Sequence, residues 1–338
     1  MAEKEPIAIL FDEIDQHPAT LAWKQIQENA TSTPQAIEVL QKQRKSEIYR
    51  LLKGIPSGES IIAKRCVTKT GKFERVIYEE ILPLLPVSQL QYYGSFQEND
   101  SYMWLFLGDA GKFNFSVADE SHRILAAHWL GGLHRFAPHT NATDILPERG
   151  PSHYFELMQR AHEKIVKILE SPTLRSAHIE VLKRVLTQMD ALESNWQDLL
   201  KFCAGIPATL AHGDFRPKNV HVKQSPTGDV LYAMDWEMAG WGNPVVDLAP
   251  SRGLSSEPQV DMPVYISIMQ EVWPGLDISM LRYFVQVGCI FRRLAAIYWS
   301  GLEMSFRWVE GPIRDMDVFH RELSHAMVVV FGRELVND

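Results

Sequence analysis

Apolar positions recur along this chain at two spacings, which divide it into a strand-rich first third and a helix-rich remainder. Between residues 36 and 107 the short apolar runs AIEVL, SEIYRLL and SYMWLFL are separated by polar segments, and this pattern predicts β-strands joined by turns. AIEVL and SEIYRLL flank the polar segment QKQRK, so they are expected to pair as an antiparallel hairpin. From residue 119 onward, apolar residues recur every three or four positions over long stretches, which predicts helices.

A helix is also predicted inside the strand-rich part, over residues 72–82 (KFERVIYEEIL). Phe73, Ile77, Ile81 and Leu84 follow one another at spacings of four, four and three, so they are expected to form one apolar face. Two prolines end this helix, because proline interrupts helical hydrogen bonding. The other predicted helices cover residues 18–30, 119–135, 153–169, 174–202, 264–273, 279–306 and 317–335.

The order and number of these elements predict the fold class. At 338 residues the chain exceeds one typical domain, so two lobes are expected. Strands come first and helices follow, an order typical of α+β proteins. We therefore expect a strand-rich first part and a mostly helical remainder.

Composition restricts the partners. The formal net charge is −8 and the sequence pI about 5.9, so no broad basic field exists to bind nucleic acid. An acidic chain favours a cationic small molecule instead, although many proteins are acidic for solubility alone. The three cysteines, Cys66, Cys203 and Cys289, form no CxxC pair and are expected to be reduced core residues.

The N-terminal residues MAEKEPIAILFDEID are acidic where a signal peptide needs a basic segment followed by a long apolar one. No apolar run in the sequence approaches the length of a membrane-spanning helix, so no membrane partner is expected. These features predict a cytoplasmic protein. The sequence leaves its oligomeric state open.

Oxygen-bearing side chains cluster between residues 212 and 235, in the segments HGDFRPKN and MDWE. Asp214 precedes Asn219 by five residues, and Asp235 follows a turn signal set between two apolar runs. A strand, turn and second strand would return Asp235 beside Asp214 and Asn219. Carboxylate and amide oxygens are ligands that Mg²⁺ accepts. An Asp near an Asn often only caps a turn, but the conjunction of all three with the hairpin favours a site.

HGDFRPKN and MDWE resemble the catalytic signature of the aminoglycoside phosphotransferase and choline kinase family, HGDxxxxN followed by [IV]D[WF]E. The family is related to the protein kinases, so the resemblance implies a bilobal protein-kinase-like fold of the α+β class. Its antiparallel-sheet N-terminal lobe would cover residues 1–107 and its mostly helical C-terminal lobe residues 108–338. It also implies ATP and Mg²⁺ as cofactors. Asp214 would be the catalytic base, and Asn219 and Asp235 would hold magnesium.

The resemblance extends to the predicted sheet. Lys64, in SIIAKRCV, lies where the family has a strand lysine that contacts the α- and β-phosphates. Glu74, at the edge of the apolar face of the helix over 72–82, lies where the family has the glutamate that pairs with this lysine. Glu79 and Glu80 are competing candidates for that pairing.

Two further segments bear on nucleotide binding. The hairpin that would cover the phosphates contains no glycine, and Ser46 in KSEIYRL is its candidate phosphate contact, with an ordinary turn serine as the alternative. LGDAGKF resembles the family's LEDAG linker, whose backbone binds adenine, with Gly108 in place of Glu. Leu105 and Leu107, in the strand before this linker, are the candidate adenine contacts.

The resemblance also assigns supporting residues. Arg216 occupies the position of the charged residue that offsets phosphoryl charge in the catalytic loop, so it is a second catalytic candidate. Asp247, in GNPVVDLA, resembles the aspartate that braces the catalytic loop, and His212 and His134 are expected to be structural.

The acceptor implied by the resemblance is a hydroxyl group of a small molecule, an aminoglycoside or another amino alcohol, with sugars, homoserine and macrolides as alternatives. The predicted C-terminal helices would form the walls of the acceptor pocket. The candidate lining residues are Glu271, Tyr298, Trp299, Glu303 and Trp308, and the alternative is that they are ordinary core residues. The rival interpretation is a nucleotide-binding pseudokinase or scaffold without turnover. A protein kinase is disfavoured, because MDWE runs into GWGNPVVDLA with little room for a peptide-docking segment. The choice between ATP and GTP stays open.

Overall fold

The computed structural model describes residues 5–27, 33–43, 45–53, 58–226, 228–253, 258–304 and 309–332. The chain forms two compact units, Met1–His122 with Pro217–Glu237, and Arg123–Arg216 with Met238–Asp338. The sequence-based boundary at 107/108 differs from this division, which groups residues 108–122 and 217–237 with the first unit.

The strands and helices alternate along the chain as follows. The strands are β1 (Ala8–Leu10), β2 (Ala36–Lys42), β3 (Ser46–Leu52), β4 (Ile61–Val67), β5 (Tyr92–Gln97), β6 (Tyr102–Gly108), β7 (Glu148–Arg149), β8 (Thr209–Ala211), β9 (Val220–Lys223), β10 (Val230–Ala233) and β11 (Gly240–Gly242). The helices are α1 (Pro18–Ile26), α2 (Thr68–Val76), α3 (Glu120–Phe136), α4 (Ala142–Ile145), α5 (Pro151–Leu169), α6 (Ser176–Ser194), α7 (Trp196–Cys203), α8 (Val245–Leu248), α9 (Met262–Met269), α10 (Ile278–Met304) and α11 (Glu310–Phe331).

An antiparallel sheet of order β1-β2-β3-β4-β6-β5 forms the first unit's centre. The predicted hairpin is confirmed, with Ala36 opposite Leu52 at its open end. Helix α1 packs Trp23 against the sheet beside Phe106, and both rings are buried. The predicted α+β class, with an antiparallel N-terminal sheet and a helical C-terminal part, is confirmed.

The prediction of a single apolar face for the helix over 72–82 is partly wrong. Helix α2 begins at Thr68 and passes into a π-helical turn over Ile77–Ile81. A π turn adds one residue to the helical turn, so the residues after it are rotated relative to the α-helical phase. Leu84 is therefore 60% exposed, whereas Glu74 is fully buried.

The hairpin of β9 and β10 is confirmed as antiparallel, with Val220 opposite Ala233. It belongs to the first unit because its backbone joins the chain that follows β6. The Phe115 amide donates to Val220 O at 2.9 Å, and the Val222 amide donates to Phe113 O at 2.9 Å. These bonds explain why residues 217–237 belong to the first unit although the residues on either side of them in the sequence belong to the second.

The second unit is built on α10, which packs against α5, α8 and α11. The predicted helix over 174–202 is two helices, because the chain leaves helical geometry at Asn195, between α6 and α7. A small sheet of order β7-β11-β8 lies in this unit, and the sequence predicted neither β7 nor β11. Its strands have only two or three residues, too few for a periodic pattern.

Within the described ranges, no helix combines the length and the apolar character that a bilayer crossing requires. Cys66, Cys203 and Cys289 are free and buried, as the sequence predicted.

Candidate functional site

Lys64 lies on β4 with two carboxylates at its ammonium group. Nζ is 2.7 Å from Glu74 Oε1 and 2.7 Å from Asp235 Oδ1. Burial by itself lowers the pKa of Lys64, but the charges of Glu74 and Asp235 and their hydrogen bonds outweigh burial, so its pKa lies well above the ordinary value. Lys64 therefore carries a positive charge in a buried position.

Glu74, and neither of its competitors, is the partner of Lys64. Glu74 is fully buried, and burial raises the pKa of its carboxyl, a shift that Lys64 opposes. Glu79 instead lies on the surface, 3.2 Å from Arg75, and Glu80 is exposed.

Asn219 and Asp235 are brought together by the hairpin of β9 and β10. The Met234 amide donates to Asn219 O at 2.9 Å, so the residue before Asp235 lies beside Asn219. Asn219 is 4% exposed. Asp235 has a φ of 69°, a left-handed conformation that costs a non-glycine residue about 1–3 kcal/mol and is found most often at functional sites.

The donor chemistry of Asn219 and Asp235 fits Mg²⁺. An amide oxygen and a carboxylate are hard ligands, and Mg²⁺ commonly takes only one or two carboxylates and leaves other positions to water and phosphate. Among the described residues, no group of three or more His, Cys, Asp or Glu side chains is arranged to hold a metal. Their role as metal ligands stays a prediction.

Asp214 belongs to the second unit, where two arginines surround it. Arg216 Nε lies 2.7 Å from Asp214 Oδ1, and Arg216 Nη2 donates to Asp214 Oδ2 at 2.7 Å. Arg292 Nη2 lies 3.9 Å from Asp214 Oδ1. The sequence-predicted approach of Asp214 to Asn219 and Asp235 stays a prediction.

Asp247 binds the backbone that precedes Asp214. Its Oδ2 accepts a hydrogen bond from the His212 amide at 2.7 Å, and its Oδ1 accepts one from the Gly213 amide at 2.8 Å. His134 Nε2 lies 3.3 Å from Oδ2. Burial raises the pKa of Asp247, but the hydrogen bond with His134, the charges of both histidines and the backbone bond outweigh it, so its pKa lies below the ordinary value.

Asp247→Asn is expected to lower the free energy of unfolding by about 3 kcal/mol at pH 7, because an amide cannot accept from both backbone N–H groups. The folded carboxyl has a lower pKa than the unfolded one, which titrates near 3.8, so its stabilisation is complete above that pH and is lost as pH falls further. Denaturant unfolding of parent and variant should therefore differ at pH 7 and converge in acid below the folded pKa. A difference that grew in acid would contradict this assignment.

Arg292 and Gln259 hold the residue after Asp214 in place, and the sequence analysis missed both. Gln259 Nε2 donates to Phe215 O at 2.9 Å and to Ala249 O at 2.7 Å. Arg292 Nη1 donates to the same two carbonyls at 3.1 and 3.3 Å, and to Val246 O at 3.2 Å. Two buried side chains therefore tie the loop that carries Asp214 to the segment around Asp247. The sequence did contain a signal for Arg292, because Arg292 and Arg293 form a charged pair within an apolar helical stretch.

The predicted nucleotide contacts outside this cluster lie in the sheet. Ser46 begins β3 and exchanges two backbone hydrogen bonds with Gln43 at the hairpin turn. Leu105 and Leu107 are buried in β6, whose backbone is flanked by β4 and β5 on both sides. Backbone contacts to a base must therefore come from residues beyond β6, and the two leucines offer only side chains.

The residues predicted to line the acceptor pocket differ in their exposure and in their contacts. Glu271 forms an ion pair with Arg135, which removes it as an uncommitted partner for an ammonium group. Trp299 is 44% exposed and contacts Tyr298 edge to face, with 5.4 Å between ring centroids. Glu303 is exposed, and Trp308 lies outside the described residues.

Comparison with known proteins adds a family and a fold. Residues 110–262 match a family described as "Phosphotransferase enzyme family". No curated protein sequence matches the chain.

Several solved structures share the fold. An ethanolamine kinase of Plasmodium vivax is 14% identical with a TM-score of 0.60, over 88% of this chain and 83% of that one. The GDP and kanamycin complex of APH(2")-IIia is 16% identical with a TM-score of 0.59, over 86% and 95%. Spectinomycin phosphotransferase APH(9)-Ia, in complex with ADP and spectinomycin, is 11% identical with a TM-score of 0.52, over 88% and 94%. At these identities the likeness shows a common fold.

Proposed function

We propose that the chain, whose residues 110–262 match a phosphotransferase enzyme family, transfers a phosphoryl group from ATP to a hydroxyl group of a small molecule. The observation that carries the proposal is the buried ammonium of Lys64 between Glu74 and Asp235. Asp235 lies 171 positions after Lys64 in the sequence, so the fold itself brings these groups together. The two carboxylates more than offset the ammonium charge, so phosphate oxygens would approach this cluster together with Mg²⁺, for which Asp235 would be a ligand. The similar structures with bound GDP or ADP support a nucleotide substrate.

Each residue in the first unit has a proposed task. Glu74 fixes the position and charge of Lys64, which contacts the triphosphate. Asn219 and Asp235 would hold Mg²⁺, which would supply positive charge to offset that of the phosphate oxygens.

Asp214 is the proposed base. It accepts the proton of the acceptor hydroxyl while the hydroxyl oxygen bonds to the γ-phosphorus, and the bond from that phosphorus to the bridging oxygen breaks to release ADP. Arg216 contacts both carboxylate oxygens of Asp214, so it must turn towards the transferred phosphoryl group before the acceptor hydroxyl can approach. Asp247 and Arg292 hold the loop that presents Asp214.

A nucleotide-binding scaffold without turnover is the second candidate. The double contact of Arg216 with Asp214 favours it, since it describes a base that is blocked. A protein kinase fits less well, because residues 238–248 form β11 and α8 directly after the Asp235 segment and leave no peptide-docking segment there.

Two measurements separate these functions. Isothermal titration with ATP, with and without Mg²⁺, tests nucleotide binding. Release of ADP is then followed with amino alcohols, aminoglycosides and hydroxy acids as acceptors. Acceptor-dependent ADP release supports the phosphotransferase, whereas binding of MgATP with no turnover across the panel supports the scaffold.

Lys64→Met is expected to lower kcat/KM for ATP by about 10 to 100-fold, because it removes a charge-assisted contact to the phosphates. Glu74→Gln should have a smaller effect in the same direction, because Lys64 stays but loses its fixed position. Glu79→Gln is the matched control, since this glutamate lies on the surface of the same segment. Equal kinetics for the Glu74 and Glu79 variants would contradict the proposed role of Glu74.

A further inference from the structure

Arg149 differs from the buried arginines of the described chain in its surroundings. Arg50, Arg292 and Arg293 are each at most 8% exposed, and each has a carboxylate oxygen within 4 Å. Burial of a guanidinium group is costly unless an anion or several acceptors compensate it. These three arginines are compensated within the protein.

Arg149 is half-buried and has no carboxylate within 4 Å among the described residues. Its Nη1 lies 2.9 Å from His153 Nε2 and 3.2 Å from His153 Nδ1. Its Nε is buried with no hydrogen-bond partner. The nearest acidic side chain, Glu148, accepts a hydrogen bond from the Gly150 amide at 2.6 Å instead. Burial lowers the pKa of Arg149, and Tyr154 and Glu148 oppose this shift only partly.

The position of Arg149 is fixed by close packing. A Cβ atom at Gly240 would overlap Cγ of Arg149, so the arginine stem lies directly on the backbone of β11. β7 and β11 are paired in parallel, with Arg149 opposite Gly242. The guanidinium group is therefore held in a defined place and is not a mobile surface group.

His153 complements this arrangement. Burial and then the charges of Arg149 and Arg160 lower the pKa of His153 to about 4, so its ring is neutral at pH 7. A neutral imidazole carries no charge, so its contact with Nη1 leaves the guanidinium charge of Arg149 unneutralised. A bound anion would supply the missing negative charge and would favour protonation of the ring.

Arg149 lies close to the residues that hold the catalytic loop. Tyr154, next to His153 on α5, is buried and stacks on Phe291, with 4.5 Å between ring centroids, and Phe291 directly precedes Arg292 on α10. β11 also pairs with β8, which leads directly into the segment that carries Asp214.

We infer that Arg149 and His153 bind a small oxyanion, a carboxylate or a phosphate, which the acceptor molecule carries in addition to its reactive hydroxyl. The identification of the bound molecule as the acceptor rests on the proposed function, whereas the oxyanion site itself rests only on the surroundings of Arg149. The acceptor class is then a hydroxy acid or a phosphorylated alcohol. It includes hydroxyl compounds with both an ammonium and a carboxylate group.

Binding of inorganic phosphate tests the site without catalysis. Isothermal titration of the parent, of Arg149→Met and of Arg184→Met should show phosphate binding weakened by about 10 to 100-fold in the Arg149 variant alone, as expected for loss of a charged hydrogen-bonding group. Arg184 is a matched control, because it is exposed on α6 and removes the same charge. Arg149→Lys, which keeps the charge, should retain part of the binding. Equal phosphate affinity in the parent and Arg149→Met would overturn the inference.

Two further readouts distinguish the source of the anion. The NMR signals of His153 should move towards the protonated form when phosphate is added to the parent. In the turnover assay, acceptors that carry a carboxylate or phosphate should have a higher kcat/KM than matched neutral alcohols. Arg149→Met should remove that preference by raising KM for the charged acceptors. Phosphate should also compete with such acceptors. Phosphate binding at Arg149 without competition or preference would overturn the assignment to the acceptor. Absence of turnover with intact phosphate binding would refute the proposed function and leave the oxyanion site standing.

Discussion

Asp214→Asn is expected to lower turnover by about 10² to 10⁴-fold while the affinity for MgATP stays close to that of the parent. The amide cannot accept the hydroxyl proton, so the contribution of general-base catalysis is lost. The fold should be retained, because Asn can still accept from Arg216, and Arg292 keeps its carbonyl acceptors. Single-turnover kinetics at saturating ATP and acceptor measure the loss in the chemical step.

The control for this experiment is Asp229→Asn, which makes the same change at an exposed position before β10. It should leave both turnover and nucleotide binding unchanged. Retention of parental turnover by Asp214→Asn would remove Asp214 from the role of base. A large loss of MgATP affinity would assign it to nucleotide binding instead.

Local patterns in the sequence predicted much of the first unit. The hairpin of β2 and β3 and the hairpin of β9 and β10 followed from apolar runs on either side of turn residues, because adjacent strands pair through local contacts. The pairing of Lys64 with Glu74 came from the family resemblance, which left Glu79 and Glu80 as competitors until the structure placed Glu74 at the ammonium group. The return of Asp235 beside Asn219 followed from the second hairpin in the same way.

The sequence did not predict contacts that depend on tertiary packing. The link from Arg292 and Gln259 to Phe215 O joins residues more than forty positions apart, and no spacing rule connects a helix arginine with a loop carbonyl. The sheet of β7, β11 and β8 has strands too short to show alternation. The exposure of Leu84 follows from a π turn, which apolar periodicity does not predict.

Arg292 of α10 lies close to Asp214 and bonds to the backbone of the residue that follows it. Arg292 donates to three carbonyls, of which Phe215 O belongs to the residue after Asp214, and its charge lies 3.9 Å from Asp214 Oδ1. Burial lowers the pKa of Arg292, an effect that Asp214 opposes. The guanidinium therefore supplies both hydrogen bonds and countercharge.

Arg292→Met is expected to lower the free energy of unfolding by about 2–4 kcal/mol, since charged hydrogen bonds to buried carbonyls are lost. In protein that is still folded, kcat should fall by about 10²-fold, because a shift of about 1 Å in a catalytic group has an effect of that order. KM for ATP should change little, since Lys64, Glu74 and Asp235 keep their contacts. Arg292→Lys should recover part of the loss in kcat.

Arg293→Met separates positioning from general destabilisation. Arg293 is the next residue of α10 and is equally buried, but it pairs with Glu322 and donates to Pro250 O and Ser251 O, away from Phe215. Its variant should lose comparable stability and keep kcat when assayed below its unfolding temperature. Gln259→Leu should lower kcat less than Arg292→Met, because Arg292 still bonds both shared carbonyls. If the Arg292 and Arg293 variants lost kcat equally, the effect of Arg292 would be one of stability alone, and the position of Asp214 would have to be fixed by Asp247 through the His212 and Gly213 amides.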